Sequence, residues 1–188
     1  MNNYFIIHGS FGTPFSNWFG WLFNEIKNEY RGGVEPNIYC PQFPIGVGLQ
    51  NYKNWETLLK YYADLGLINE NTIIFAHSIA PIFVTKFLIN NKIKVKRLVF
   101  VCGFNNYLGI NEEYDAVNNS MYCENMEDVK NYCKEIICFY TNNDPYVPLN
   151  KEKEFADAVA TKKILIDGGG HLNAEKGYTQ FKELKEYI

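Results

Sequence analysis

The sequence predicts a three-layer α/β fold, in which a six-stranded, mostly parallel sheet carries helices on both faces. Three observations predict it. Short apolar runs alternate with longer segments of helical period, as in crossover units of a parallel sheet. Four of the runs are rich in Ile, Val and Phe, as expected of strands buried on both faces. The 188 residues, 47% hydrophobic and 21% charged, suit one domain over residues 1–188.

Six short apolar runs are the strand candidates, and Pro36 weakens the second because proline has no amide hydrogen to donate to a neighbouring strand. The runs cover residues 4–8, 34–40, 72–76, 97–102, 136–141 and 163–166. Parallel sheets carry their working loops at the carboxyl ends of the strands. We therefore expect functional residues directly after these runs.

Apolar residues that recur every three or four positions predict helices between the strands. The recurring sets are Trp18, Trp21, Leu22 and Ile26; Tyr52, Trp55, Leu58, Leu59 and Tyr62; Phe155, Ala158 and Val159; and Phe181, Leu184 and Ile188. Asn150 is a candidate N-cap for the third set. Segment 79–89 is apolar on nearly every side, which predicts a helix packed in the centre.

Residues 104–125 show no clear period, and only residues 126–133 after them look helical. A long irregular connection inside a compact domain is often functional, so this one either roofs a pocket or is a surface loop. The six-strand core uses nearly all of the remaining chain. We therefore expect no separate cap domain and an open, shallow site partly roofed by this segment.

Composition excludes several classes of partner. The net charge is 18 − 21 = −3 with only two arginines, which argues against nucleic acid. No stretch approaches the roughly 20 apolar residues of a membrane span, and residues 1–8 do not resemble a signal peptide. The five cysteines are scattered without a Cys-x-x-Cys pair. A reduced, cytoplasmic setting without a zinc site is expected.

The third run ends in Ala76-His77-Ser78-Ile79-Ala80, directly before a predicted helix. This pattern is a degenerate form of the nucleophile elbow G-x-S-x-G, where a strained turn exposes the serine hydroxyl and its flanking residues must be small. The alternative is a serine that caps the following helix.

Two further residues follow later strands and favour the nucleophile elbow over the helix cap. Asp144 comes after the fifth run and His171 after the sixth, so the order Ser78, Asp144, His171 is that of α/β-hydrolases. In such a triad the histidine is the general base and the aspartate orients it. Asp144, which precedes a proline, is alternatively a turn starter, and Asp167 is a rival acid.

His8 and His77 are rival bases. His77 precedes the serine in a strand-like geometry, so its side chain is expected to point to the opposite side and to be packed and hydrogen-bonded.

The first strand leads into His8-Gly9-Ser10-Phe11-Gly12. An oxyanion hole in this architecture uses the amide after the nucleophile and one from this loop. We expect the amides of Ile79 and Ser10, with Phe11 as second choice. Phosphate binding is the alternative, but the loop lacks the Lys-Ser/Thr of a P-loop.

These residues resemble a known family, the small serine hydrolases related to retinoblastoma-binding protein 9 and to bacterial YdeN-type proteins. The matching segments are residues 8–9, 18–22, 72–78, 97–101, 143–148 and 169–173. The resemblance implies a compact α/β-hydrolase fold, a triad of Ser78, Asp144 and His171, no metal and no organic cofactor. The chain departs from the usual Gly-His-Ser-x-Gly at Ala76 and Ala80.

Two functions follow. The leading hypothesis is a serine hydrolase that acts on a small-molecule acyl substrate, a carboxylic ester, thioester or small amide, in a pocket walled by Phe11, Trp18 and Tyr146. The competing hypothesis is a protein-binding module with little or no activity on a hydrolase scaffold. It is motivated by the degenerate elbow and by aromatic residues such as Tyr107 and Tyr114.

Overall fold

Six strands form one sheet within residues 2–30 and 33–188, the part of the chain that this computed structural model describes. The strands are β1 (Asn3–Ile7), β2 (Asn37–Tyr39), β3 (Thr72–His77), β4 (Arg97–Val101), β5 (Ile136–Thr141) and β6 (Lys162–Ile166). Their order is β2-β1-β3-β4-β5-β6, and all five pairings are parallel. The chain reverses its direction of strand addition between β1 and β3, and such a switch point is where parallel sheets bind ligands.

Helices connect the strands. They are α1 (Phe19–Glu29), α2 (Tyr52–Asp64), α3 (Ala80–Asn91), α4 (Glu112–Asn118) and α5 (Leu149–Val159). Four of these five, α4 being the exception, lie where the sequence predicts them. Asn150 lies in the first turn of α5 and not at its cap, because the helix already begins at Leu149, after Pro148. None of the helices in the described part is both long and apolar enough to cross a membrane.

Two hydrophobic cores lie on opposite faces of the sheet, which makes three layers. Successive residues of β1 alternate between them, with Phe5 and Ile7 in one core and Tyr4 and Ile6 in the other. Burial of one such side chain stabilises the fold by about 1.5–3 kcal/mol. Helix α3 is buried along most of its length in the first core, which confirms the predicted central helix.

The segment between β4 and β5 is more ordered than its sequence indicates. Helix α4 lies inside residues 104–125, and the side chain of Asn111 caps it by accepting a hydrogen bond from the Tyr114 amide. Seven residues are two turns, which is too short for a hydrophobic period to stand out. Residues 126–131, where the sequence indicates a helix, form a 3₁₀-helix.

The last helix is also a 3₁₀-helix, Lys182–Tyr187. Its buried residues Leu184 and Tyr187, together with the buried N-cap residue Phe181, recur every three positions, which is the period of a 3₁₀-helix. The sequence pattern predicts Ile188 as the third buried residue, because an α-helix has a longer period. In the structure the third buried residue is Tyr187.

Candidate active site

Ser78 lies at a sharp turn between β3 and α3. Its φ is +65°, in the left-handed region that non-glycine residues rarely adopt, at a cost of about 1–3 kcal/mol. Its amide donates to the carbonyl of Val101 at 2.9 Å, which holds the turn against β4. Ala76 and Ala80 are fully buried on either side. Alanine is therefore small enough for an elbow in this chain.

Asp144 and His171 meet at the carboxyl ends of β5 and β6. Nδ1 of His171 lies 2.5 Å from Oδ2 of Asp144. The other carboxylate oxygen accepts from the amides of Tyr146 and Val147 at 2.8 and 3.0 Å. Burial works to raise the pKa of Asp144, but the His171 ring and these two amides together hold that pKa below its usual value. The carboxylate is therefore ionised and accepts the Nδ1 proton, leaving Nε2 as the basic nitrogen of His171.

Ser78 and His171 line the same cavity, whose volume is about 500 Å³. Within residues 2–30 and 33–188, no hydrogen bond joins the Ser78 hydroxyl to the His171 ring. Such bonds are often long without substrate and tighten when it binds. The other lining residues are Gly9, Ser10, Phe11, Gly12, Ser16, Asn17, Phe19, His77, Ile110, Asn111, Glu113, Tyr114, Tyr146, Asn173 and Glu175.

The rival groups are engaged elsewhere. His8 uses both ring nitrogens, since Nδ1 lies 2.8 Å from the Gly9 carbonyl and Nε2 accepts from the Phe43 amide at 3.0 Å. Asp167 is exposed, and its carboxylate accepts from the side chain of Asn142 rather than from His171.

His77 is packed and hydrogen-bonded, as the sequence indicates. Its Nε2 donates to the carbonyl of His171 at 2.9 Å. Burial, helped by the neighbouring His171, lowers the pKa of His77 to about 3. His77 therefore stays neutral and anchors the backbone of His171.

Of the three expected pocket residues, Phe11 and Tyr146 line the cavity and Trp18 does not. Trp18 is fully buried in the core, and its indole nitrogen donates to the Leu172 carbonyl at 3.0 Å. Its helical spacing with Leu22 indicates this placement, because Trp18, the N-cap residue of α1, lies on the same side of the helix as the buried Leu22. Trp18 thus holds the backbone at Leu172, directly after His171, from the core side of the site.

The expected oxyanion loop lies against the nucleophile. A methyl group added at Gly9 would lie 2.6 Å from Cβ of Ser78 and 3.1 Å from the His77 carbonyl oxygen, so this contact admits only glycine. The amide of Phe11 already donates to the side chain of Gln50 at 3.1 Å. Because the Phe11 amide is already engaged by Gln50, the amide of Ser10 is favoured over that of Phe11 as the oxyanion donor from this loop.

Tyr114 of α4 is a cavity residue that the sequence did not assign to the site. Burial raises its pKa, and the nearby hydroxyls of Ser78 and Ser10 act in the opposite direction. Its ring also approaches that of Phe11, with centroids 6.4 Å apart. The expectation that segment 104–125 roofs a pocket was the one signal that pointed to it.

Glu152 is a buried acid beneath Asp144, and its sequence position in α5 gave no sign of this. Only 1% of it is exposed. One carboxyl oxygen accepts from the Thr141 amide at 2.7 Å, and the other, Oε1, has no partner among the described residues. Burial, reinforced by the charge of Asp144, raises the pKa of Glu152 to about 9. Glu152 is therefore a neutral acid at pH 7.

One donor atom from each of Cys102, Asp144, Glu152 and His171 lies within 4.8 Å of the others. A metal ion there would need Asp144 and His171 as ligands and would break their mutual hydrogen bond. Burial also raises the pKa of Cys102 well above its usual value, which disfavours the thiolate that a metal binds. These residues do not fit a metal centre that works together with a triad, and the expectation of a metal-free site stays a prediction.

We expect the Glu152→Gln variant to be more stable than the native protein, and increasingly so as the pH rises. Between the ordinary pKa of 4.5 and the folded value of about 9, the folded protein keeps a proton that the unfolded chain releases, so native stability falls across this window. Glutamine cannot ionise and can still accept from Thr141. Denaturant unfolding should show little difference at pH 5 and a gain of at least about 1 kcal/mol at pH 8.

Glu154→Gln is the matched control, because Glu154 lies on the same helix but is exposed, 3.8 Å from Lys151. It should leave the pH dependence unchanged. A gain from Glu152→Gln that is equal at both pH values would contradict the assignment of Glu152 as a buried neutral acid.

A family model described as serine hydrolase matches residues 4–188. Among solved structures, the ydeN gene product of B. subtilis is 20% identical, with a TM-score of 0.81, covering 100% of this chain and 96% of that one. Est1E from Butyrivibrio proteoclasticus, solved with bound ferulic acid, is 14% identical, with a TM-score of 0.70, covering 100% and 88%. Identities this low establish a shared fold. No curated protein sequence matches the chain.

Proposed function

Because the chain belongs to the serine hydrolase family, we propose that it cleaves a carboxylic ester, thioester or small amide through an acyl-enzyme on Ser78. The observation that carries the proposal is the 2.5 Å contact between His171 and Asp144 beside a cavity that also exposes Ser78. This combination supplies a nucleophile, a general base and a carboxylate that orients the base.

The chemistry runs in two halves. Oγ of Ser78 attacks the acyl carbon while Nε2 of His171 takes the hydroxyl proton. The tetrahedral intermediate collapses, the bond to the leaving group breaks, and His171 returns the proton to the departing alcohol, thiol or amine. A water molecule then attacks the acyl-enzyme by the same route, releasing the carboxylic acid and restoring the Ser78 hydroxyl. Asp144 stays ionised throughout and stabilises the imidazolium.

The negative oxygen of the intermediate is held by the amides of Ile79 and Ser10. Ile79 is the N-cap residue of α3, where the helix dipole adds positive potential, and Ser10 follows Gly9 on the loop that contacts Ser78. Phe11 and Tyr146 form walls of the cavity that contact the substrate.

Labelling by a fluorophosphonate probe tests the proposed function directly. The probe phosphonylates an activated serine, and mass spectrometry of the digested protein locates the adduct. We expect one adduct, on the peptide that contains Ser78, together with turnover of short-chain esters and thioesters. Absence of label on folded native protein, or an adduct confined to another serine, would overturn the proposal.

Gly9→Ala is expected to lower kcat at least about 10²-fold, the effect of losing one oxyanion donor. The new methyl group would lie 2.6 Å from Cβ of Ser78, so either the nucleophile or the loop must move. Gly20→Ala is the matched control, because no atom lies within 4 Å of a methyl group added there. Steady-state kinetics of both variants on one ester decides, and native turnover in Gly9→Ala would refute the close packing of loop and nucleophile.

A further inference from the structure

A buried chain of amide side chains lies behind the proposed oxyanion loop. The Phe11 amide donates to Oε1 of Gln50 at 3.1 Å, and Nε2 of Gln50 donates to Oδ1 of Asn118 at 3.0 Å. The same Oδ1 accepts from the Ser10 hydroxyl at 2.7 Å. Two adjacent loop residues are thus tied, through two side chains, to the segment before α2 and to the end of α4.

The direction of every hydrogen bond in this chain follows from its one fixed donor. A backbone amide can only donate, so the Phe11 amide requires the oxygen of Gln50 and turns its NH₂ group towards Asn118. That group in turn requires the oxygen of Asn118, and the Ser10 hydroxyl can then only donate to it. The Ser10 hydroxyl proton is consequently used within the protein, which leaves the main-chain amide as the donor that Ser10 offers to a substrate.

The two amide side chains of the network are buried. Gln50 is 2% exposed and Asn118 is fully buried. Nδ2 of Asn118 already lacks a partner among the described residues, and loss of the bond between Gln50 and Asn118 would leave the buried NH₂ group of Gln50 without that partner too, which is costly in a medium of low dielectric constant. The network therefore has one arrangement, and the positions of residues 10 and 11 depend on it.

We propose that Gln50 and Asn118 are positioning residues that hold the oxyanion loop in its working geometry, so that α4 is a working part of the active site as well as a cover. This inference rests on the proposed function. Neither residue lines the cavity. Their effect is exerted through Ser10 and Phe11, and it falls on transition-state stabilisation rather than on substrate binding.

Gln50→Met and Asn118→Leu remove the polar atoms and approximately keep the shape of each side chain. We expect each variant to lower kcat about 10- to 100-fold on a short-chain ester, with KM within about threefold of native. The double variant should lose little more than either single one, because both break the same network. Asn119→Ala, at the exposed neighbouring position, is the control and should keep native kcat.

Ser10→Ala covers the case in which the larger changes prevent folding, because it deletes one oxygen atom and keeps the main-chain amide. It should lower kcat at least about threefold without raising KM. Native kcat in Ser10→Ala and in whichever of the Gln50 and Asn118 variants folds would overturn the inference, as would a rise in KM at constant kcat.

Failure of this inference differs visibly from failure of the proposed function. If the native protein is neither labelled by fluorophosphonate nor active on esters, the proposed function fails. If the native protein is active and the network variants keep its kcat, only the positioning roles of Gln50 and Asn118 fail.

Discussion

Ser78→Ala is expected to reduce turnover on the order of 10⁶-fold and to abolish fluorophosphonate labelling. Residues of a triad act as a unit, so removing the nucleophile alone removes nearly all of their joint contribution. What survives is the smaller acceleration from substrate binding and from the proposed oxyanion amides of Ile79 and Ser10, about 10³–10⁴ over the reaction in water.

The variant should fold normally, which makes the kinetic loss interpretable. The hydrogen bond that holds the turn comes from the main-chain amide of Ser78 to the carbonyl of Val101, and its hydroxyl takes no part in it. Alanine keeps that amide. The unfolding midpoint should therefore stay near the native value.

Ser16→Ala is the matched control. Ser16 lines the same cavity but does not lie at a strand end. Its hydroxyl accepts a hydrogen bond from the amide of Thr13. It should retain label and turnover. Full labelling of Ser78→Ala, or ester hydrolysis within tenfold of native, would show that another residue is the nucleophile.

The sheet could be predicted because its signals are local. Each buried strand shows itself as a short run of Ile, Val and Phe, and β3 and β5 begin where the runs indicate. The placement of Ser78, Asp144 and His171 at strand ends follows from the same runs. Parallel strands bring these ends to one edge of the sheet, which is why residues far apart in sequence could be considered together.

The rest depends on contacts that have no local signature. Glu152 looks like any charged residue of an amphipathic helix, and only the packing of α5 against β5 places it under Asp144. Asn118 and Gln50 are separated by 68 residues and meet through tertiary structure alone. The sequence does not predict helix α4, because two turns are too short for a hydrophobic period to appear.

Asp144→Asn is expected to lower turnover about 10⁴-fold, although the substitution changes neither shape nor volume. The amides of Tyr146 and Val147 point at one oxygen of Asp144 and would hold the carbonyl oxygen of asparagine there. The asparagine NH₂ group must then face Nδ1 of His171. Because two donors cannot share a hydrogen bond, Nδ1 becomes the acceptor and the ring proton moves to Nε2.

That tautomer presents N–H to Ser78, so His171 cannot remove the serine proton. Asp167→Asn is the matched control, since Asp167 is the rival acid four residues before His171 and its contact is with Asn142. It should keep turnover within a few-fold of native, and KM should be almost unchanged in both variants, because neither carboxylate lines the cavity. Kinetics on a single ester over pH 6–9 separates the two acids. Equal losses from both variants, or a larger loss from Asp167→Asn, would remove Asp144 from the triad.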